Sequence, residues 1–162
     1  MGVYLFSDEF RNGIIKESMF LERSGCMNTD KVIPLMNKAI EVEYQAFIQY
    51  FYQSLQLKGF NTLAFSQFLA TEADLELGHA KLLAEMVVNL GGEPSDHIEP
   101  VNVGKDPKQM IQNNIKREEQ AIEVYRKLLP LVEENEYMYD TIYNILLSEV
   151  KDLDEFRTLL PQ

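Results

Sequence analysis

The chain has 162 residues, 46% apolar and 25% charged, which suits one globular domain with a core of its own. Its 26 acidic and 15 basic residues give a net charge of −11, which argues against binding a phosphate backbone and favours cations as partners. The lone Cys26 excludes a disulfide framework and a Cys-rich zinc module; no apolar run nears the ~18 residues of a membrane span, and the first residues lack a leader pattern. A cytoplasmic protein is expected, with neither nucleic acid nor membrane as partner.

Residues 1–28 read as an N-terminal extension. Phe6, Phe10, Ile14, Ile15, Phe20 and Leu21 can form a short amphipathic helix there, though a packing arm or a partly ordered tail is the plainer expectation. Residues 29–162 read as one all-α domain. Apolar residues recur at helical spacing over about 29–58, 60–90, 106–132 and 135–160. Thr29 or Asp30 can cap the first helix, and Gly59 separates it from the second, which Asn61 or Thr62 can begin. Gly91-Gly92 ends the second helix, and Asp106-Pro107 is a cap-then-proline start for the third. Pro130 lies near the end of the third, and Glu133-Glu134-Asn135 turns the chain into the fourth. The first and last connections are too short for anything but antiparallel hairpins. The middle connection, about 15 residues, reaches roughly 50 Å when extended. A 30-residue helix is about 45 Å long. The connection can therefore run the length of a four-helix bundle and start the third helix parallel to the second.

Every apolar stripe carries a glutamate near its middle. The stripes run Met36, Ile40, Glu43, Phe47, Tyr50; then Leu69, Ala73, Glu76, Ala80, Leu83; then Ile111, Ile115, Glu118, Ile122, Tyr125; then Ile142, Leu146, Glu149, Leu153, Phe156. Each Glu lies at a similar distance from its helix start, so the four should meet at one height. The two halves echo each other. Glu43-x-x-Ala46-x-x-x-Tyr50 matches Glu118-x-x-Ala121-x-x-x-Tyr125, and Glu76-x-x-His79 matches Glu149-x-x-Asp152. Residues three apart share a helix face, so each pair can point at one centre. Buried carboxylates are costly and repel one another, and no buried Lys or Arg is expected on these stripes to offset them. Two hard divalent cations would neutralise Glu43, Glu76, Glu118, Glu149 and Asp152, with His79 adding a nitrogen donor. Glu41, Glu72, Glu85, Glu119 and Glu123 fall off the stripe centres and are expected on the solvated face. His97 is expected at the surface of the long connection.

With these motifs in register, the sequence resembles bacterioferritin, within the ferritin-like superfamily, over about 130 residues from Lys31 to Leu160. The resemblance rests on Glu43-Tyr-Gln-Ala-Phe-Ile-Gln-Tyr-Phe51, Glu76-Leu-Gly-His-Ala80, Asn102-Val-Gly-Lys-Asp106 with Glu118 following, and Glu149-Val-Lys-Asp152. It implies a ferritin-like four-helix bundle and a di-iron ferroxidase centre with two iron ions per subunit. Glu76 and Glu149 would bridge, Glu43 and Glu118 would be terminal ligands, and His79 would bind one iron. Tyr50 would stand beside the centre, with Tyr125 as its counterpart. The implied function is iron storage: Fe(II) oxidised by oxygen or hydrogen peroxide and kept as Fe(III) in a homo-oligomeric cage of 12 or 24 subunits. The alternative is a non-storage di-iron or di-manganese oxidase or peroxidase of the rubrerythrin-like type. Three departures stand out. Asp152 replaces the family's second His, and its Oδ1 can reach the same place. Leu77 replaces the haem-ligating Met, so no haem is expected. The chain stops at Gln162 without the short fifth helix of 24-subunit cages.

Overall fold

The computed structural model describes residues 27–160. The expectation for the extension falls almost entirely on residues 1–26, outside the described residues. Four long helices follow: α1 (Thr29–Gln56), α2 (Leu63–Asn89), α3 (Pro107–Leu128) and α4 (Glu136–Thr158). Single 3-10 turns, Phe60–Thr62 and Leu129–Leu131, sit beside the two short connections. α1 packs along α2, α3 along α4, and α1 against α3, giving the expected pair of hairpins. Among the described residues no helix is long and apolar enough to cross a membrane.

The helix starts follow local chemistry. Asp106 Oδ1 accepts the Gln109 N–H at 2.9 Å, and Pro107 takes the first helical position, where its missing N–H costs nothing. Asn135 Oδ1 accepts the Met138 N–H at 3.1 Å and starts α4. α1 begins at Thr29, within the expected range, but Thr29 and Asp30 do not cap it. Its cap is Asn28, which uses its backbone carbonyl rather than its side chain, so Thr29 and Asp30 lie inside the helix. At the end of α2, Gly91 takes φ 77°, a left-handed turn that a side chain would strain. A Cβ on Gly92 would meet Ile33 Cδ1 at 2.9 Å, so any larger residue here would push the Ile33 side chain aside.

From there the crossover runs back along α1, held by a polar ladder at four-residue spacing. Asn37 Nδ2 donates to the Glu93 carbonyl, Glu41 Oε1 accepts from Ser95 Oγ, and Gln45 donates to the Pro100 carbonyl. Gln49 Oε1 accepts the Asn102 N–H, and Gln53 Nε2 donates to the Val103 carbonyl. Gln49 and Gln53 are buried and also donate to Asn114 of α3, which returns a bond to Gln53 at 2.8 Å. These side chains satisfy backbone groups that a loop packed on a helix would otherwise leave unpaired.

The apolar core falls into two clusters. The larger includes Met36, Ile40, Leu83, Tyr125 and Ile142; the smaller includes Ala46, Tyr50, Leu69, Ala73, Ile111 and Phe156. Along α1, α2 and α3 the stripe glutamate falls at the seam between them, and on α4 Glu149 lies one turn before Leu153 of the larger and two before Phe156 of the smaller.

Candidate metal centre

Glu43, Glu76, Glu118 and Glu149 are each at most 1% exposed and converge from four different helices. The seam divides into two halves. In the first, His79 Nδ1 lies 3.1 Å from Glu76 Oε2, 3.1 Å from Glu149 Oε1 and 3.7 Å from Glu43 Oε2. Donor atoms of these four residues all lie within 4.8 Å of one another. Glu43 Oε2 and Glu149 Oε1 are buried without a hydrogen-bond partner. Oxygen atoms left this way call for a cation, and three carboxylates with one imidazole suit a divalent transition metal.

The second half holds a guanidinium, contrary to the expectation that no Arg is buried here. Arg117 is 2% exposed. Its Nη2 donates to Glu76 Oε1 at 2.6 Å, Glu149 Oε2 at 3.0 Å and Glu118 Oε2 at 3.1 Å. Glu76 and Glu149 thus each turn one oxygen to His79 and the other to Arg117. The physical reason is charge: four buried carboxylates attract the long cation next to Glu118 on α3. The expected pair of ions therefore meets a metal-like pocket in one half and a protein cation in the other.

The two tyrosines brace the centre crosswise. Tyr50 of α1 donates its hydroxyl to Glu118 of α3, and Tyr125 of α3 donates to Glu43 of α1. Arg117 also lies over the Tyr50 ring, 5.8 Å from its centroid, with Nε donating to the hydroxyl at 3.4 Å. Burial pushes both phenols well above their usual range, so they remain donors.

Electrostatics follow from burial and charge. Burial, reinforced by the charge of Glu76, raises Glu43 to about 7. Burial, with the charges of Glu43 and Glu76, raises Glu149 to about 7. Burial also lifts Glu118 well above the carboxylate range despite Arg117. Glu76 is the exception: burial pushes it up, but Arg117 and His79 outweigh that and hold it at about 2. Burial disfavours the His79 cation, yet Glu149, Glu43 and Glu76 outweigh it and push His79 up to about 12. The metal-free centre is thus held together by protons that an incoming cation would displace.

Asp152 is buried but belongs to another group. Its carboxylate clusters with those of Glu72 and Glu155 rather than with the donors around His79. Glu72, expected on the solvated face, is 5% exposed; burial first, then the charge of Asp152, raise it to about 7. Glu85, Glu119, Glu123 and His97 are exposed, and Glu41 is half-buried under the crossover. The sequence held one signal for Arg117 that the stripes hid. Across the internal echo the residue before Glu43 is Val42, whereas the residue before Glu118 is Arg117.

Two antiparallel hairpins around a buried ring of carboxylates with an imidazole define the class of bundle that houses di-metal carboxylate centres. Residues 33–162 match the sequence model of the ferritin-like domain, and the chain belongs to that family. It is 24% identical over 98 residues to a bacterioferritin of Rhodobacter capsulatus, covering 60% of this chain and 61% of the relative. It is 30% identical over 105 residues to a bacterioferritin of Desulfovibrio desulfuricans, covering 64% and 59%. The chain thus spans about three-fifths of the length of these relatives. A solved structure described as a ferritin-like, di-iron-carboxylate protein of Bacillus anthracis superposes with a TM-score of 0.78, at 24% identity. That match covers 82% of this chain and 97% of the other, and it shows the shared fold.

Proposed function

We propose that the chain is a ferritin-type ferroxidase that takes Fe(II) as substrate and retains it as Fe(III) in a homo-oligomeric cage. The observation that carries this reading is the pair of buried oxygens without a hydrogen-bond donor, Glu43 Oε2 and Glu149 Oε1, facing His79 Nδ1 in a buried carboxylate seam. Glu43, Glu76, His79 and Glu149 would hold the iron. A ligand set rich in carboxylate favours Fe(III) over Fe(II), so oxidation runs downhill. Each Fe(II) gives up one electron, and two such electrons with two protons convert one hydrogen peroxide to two waters. Tyr125 keeps Glu43 aimed at the site by hydrogen bonding its other oxygen. Leu77, which offers no iron ligand, supports a haem-free chain. Exposed apolar side chains at the α1–α2 end, among them Phe51, Leu55, Phe60 and Leu63, support self-association.

The test is an aerobic Fe(II) titration of metal-free protein, reading iron oxidised and iron retained in soluble particles. Oxidation far beyond the binding capacity of the chain, with the product retained, is the expected result. Oxidation without retained mineral would transfer the chain to the non-storage oxidase or peroxidase class. Oxidation no faster than in buffer would refute both.

A further inference from the structure

We infer that Arg117 is a built-in cation standing in the second metal position of the centre, so that the chain takes one metal ion where two are expected from the four-glutamate arrangement. The inference rests on the reading above that Glu43, Glu76, His79 and Glu149 hold metal.

The contacts make the case. A second ion in such a seam would take one oxygen from each of Glu76, Glu149 and Glu118. Arg117 Nη2 has those three contacts, at 2.6, 3.0 and 3.1 Å. The two shared carboxylates bridge between His79 and the guanidinium as they would bridge between two metals. Glu118 is then the terminal partner of the guanidinium, steadied by Tyr50, as Glu43 is the terminal oxygen of the His79 half, steadied by Tyr125. The two-fold pattern of the acids is intact; only the cation differs.

Two further observations agree. Asp152, the expected sixth ligand, would serve this second position, yet its carboxylate accepts from Ser148 and Lys151 and groups with those of Glu72 and Glu155. A half already filled by a guanidinium has no use for it. Formal charge also closes with one ion: four carboxylates less one guanidinium leave three negative charges, which a single ferric ion neutralises. Two ferric ions beside a retained guanidinium would leave the seam strongly positive. Expelling Arg117 to admit a second ion would break its three carboxylate contacts and lift it from its seat on the Tyr50 ring.

Metal count and metal–metal coupling decide the matter without any activity measurement. The full chain is loaded anaerobically with Mn(II), desalted, and read by elemental analysis and by EPR. The native chain should hold one Mn(II) with an uncoupled six-line signal. Arg117→Leu should hold two, with the multiline spectrum of an exchange-coupled pair. Arg117→Gln, which keeps polar contacts in the seam, serves as the second variant, and helical circular dichroism checks folding of both. Two coupled ions in the native chain would overturn the inference while leaving the metal reading in place. One ion in the native chain and in both folded variants would also overturn it. No bound metal in the native chain or in either variant would overturn the inference and the metal reading together.

Discussion

The metal-free chain should lose stability as the pH rises from 5.0 to 7.5. Glu43 and Glu149 ionise near 4.5 when unfolded but hold their protons to about 7 when folded. Between those values the folded state binds more protons, so its stability falls with rising pH. A rise from 4.5 to about 7 corresponds to about 3 kcal/mol per group. The two repel each other and titrate together, so about 3 kcal/mol is the expected loss for the pair. His79 acts in the same direction above 6.5, because its folded form keeps a proton that the unfolded chain releases. Glu76, held at about 2, gives the opposite slope between 2 and 4.5 and is already ionised in both states above that. The loss is on the order of 10 °C in Tm for a domain of this size. Thermal melts in chelator at the two pH values measure it. Glu43→Gln removes one buried acid, so it should raise the metal-free Tm at pH 7.5 and flatten the difference. Divalent metal should restore stability at pH 7.5, by about 2.7 kcal/mol at a concentration 100 times Kd, and much less at pH 5.0 where protons compete. A metal-free Tm at pH 7.5 equal to or above that at pH 5.0 would refute the electrostatic account of the seam.

Three smaller perturbations test its parts. Tyr125→Phe removes the donor to Glu43 Oε1 and should cost about 1–3 kcal/mol in urea unfolding while weakening metal binding in calorimetry. Asn114→Leu strips buried Gln49 and Gln53 of their shared partner, at about 1–3 kcal/mol, and should open the crossover to limited proteolysis near residues 93–103. Asp152→Ala should leave the Mn(II) affinity of the His79 half within about twofold of native; a tenfold loss, about 1.4 kcal/mol, would put Asp152 in that centre.

Much of the fold was legible because helices announce themselves by period and punctuation. Gly59, Gly91, Asp106-Pro107 and Asn135 mark boundaries that local chemistry alone sets. The acids were legible for the complementary reason: a Glu at the centre of an apolar stripe, repeated on four helices, breaks the pattern in which charge faces water. The crossover was legible in length but not in path. Its path is set by Asn37, Glu41, Gln45, Gln49 and Gln53, whose four-residue spacing reads in a sequence as an ordinary polar helix face. Only the partner backbone reveals that this face is covered.

Arg117 and Glu72 both lie off the stripe centres, and both are buried. Stripe reasoning assigns a residue to a face by its Cα direction, but a long side chain can reach its neighbour's face. Arg117 is one residue, about 100° of helix, from Glu118. Its stem can lie along the helix surface while the head enters the seam between α2, α3 and α4. The attraction that draws it there is absent from any single helix and exists only once Glu76, Glu118 and Glu149 meet. Glu72 has no such attraction: it lies one turn before Glu76 on α2, close to the like-charged Asp152 and Glu155 of α4, and burial with the charge of Asp152 raises its carboxyl. A site built from convergent acids therefore needs its counter-charges sought among the long cations one residue to either side of each acid. The count of cations, not of acids alone, sets how many metal ions such a seam can take.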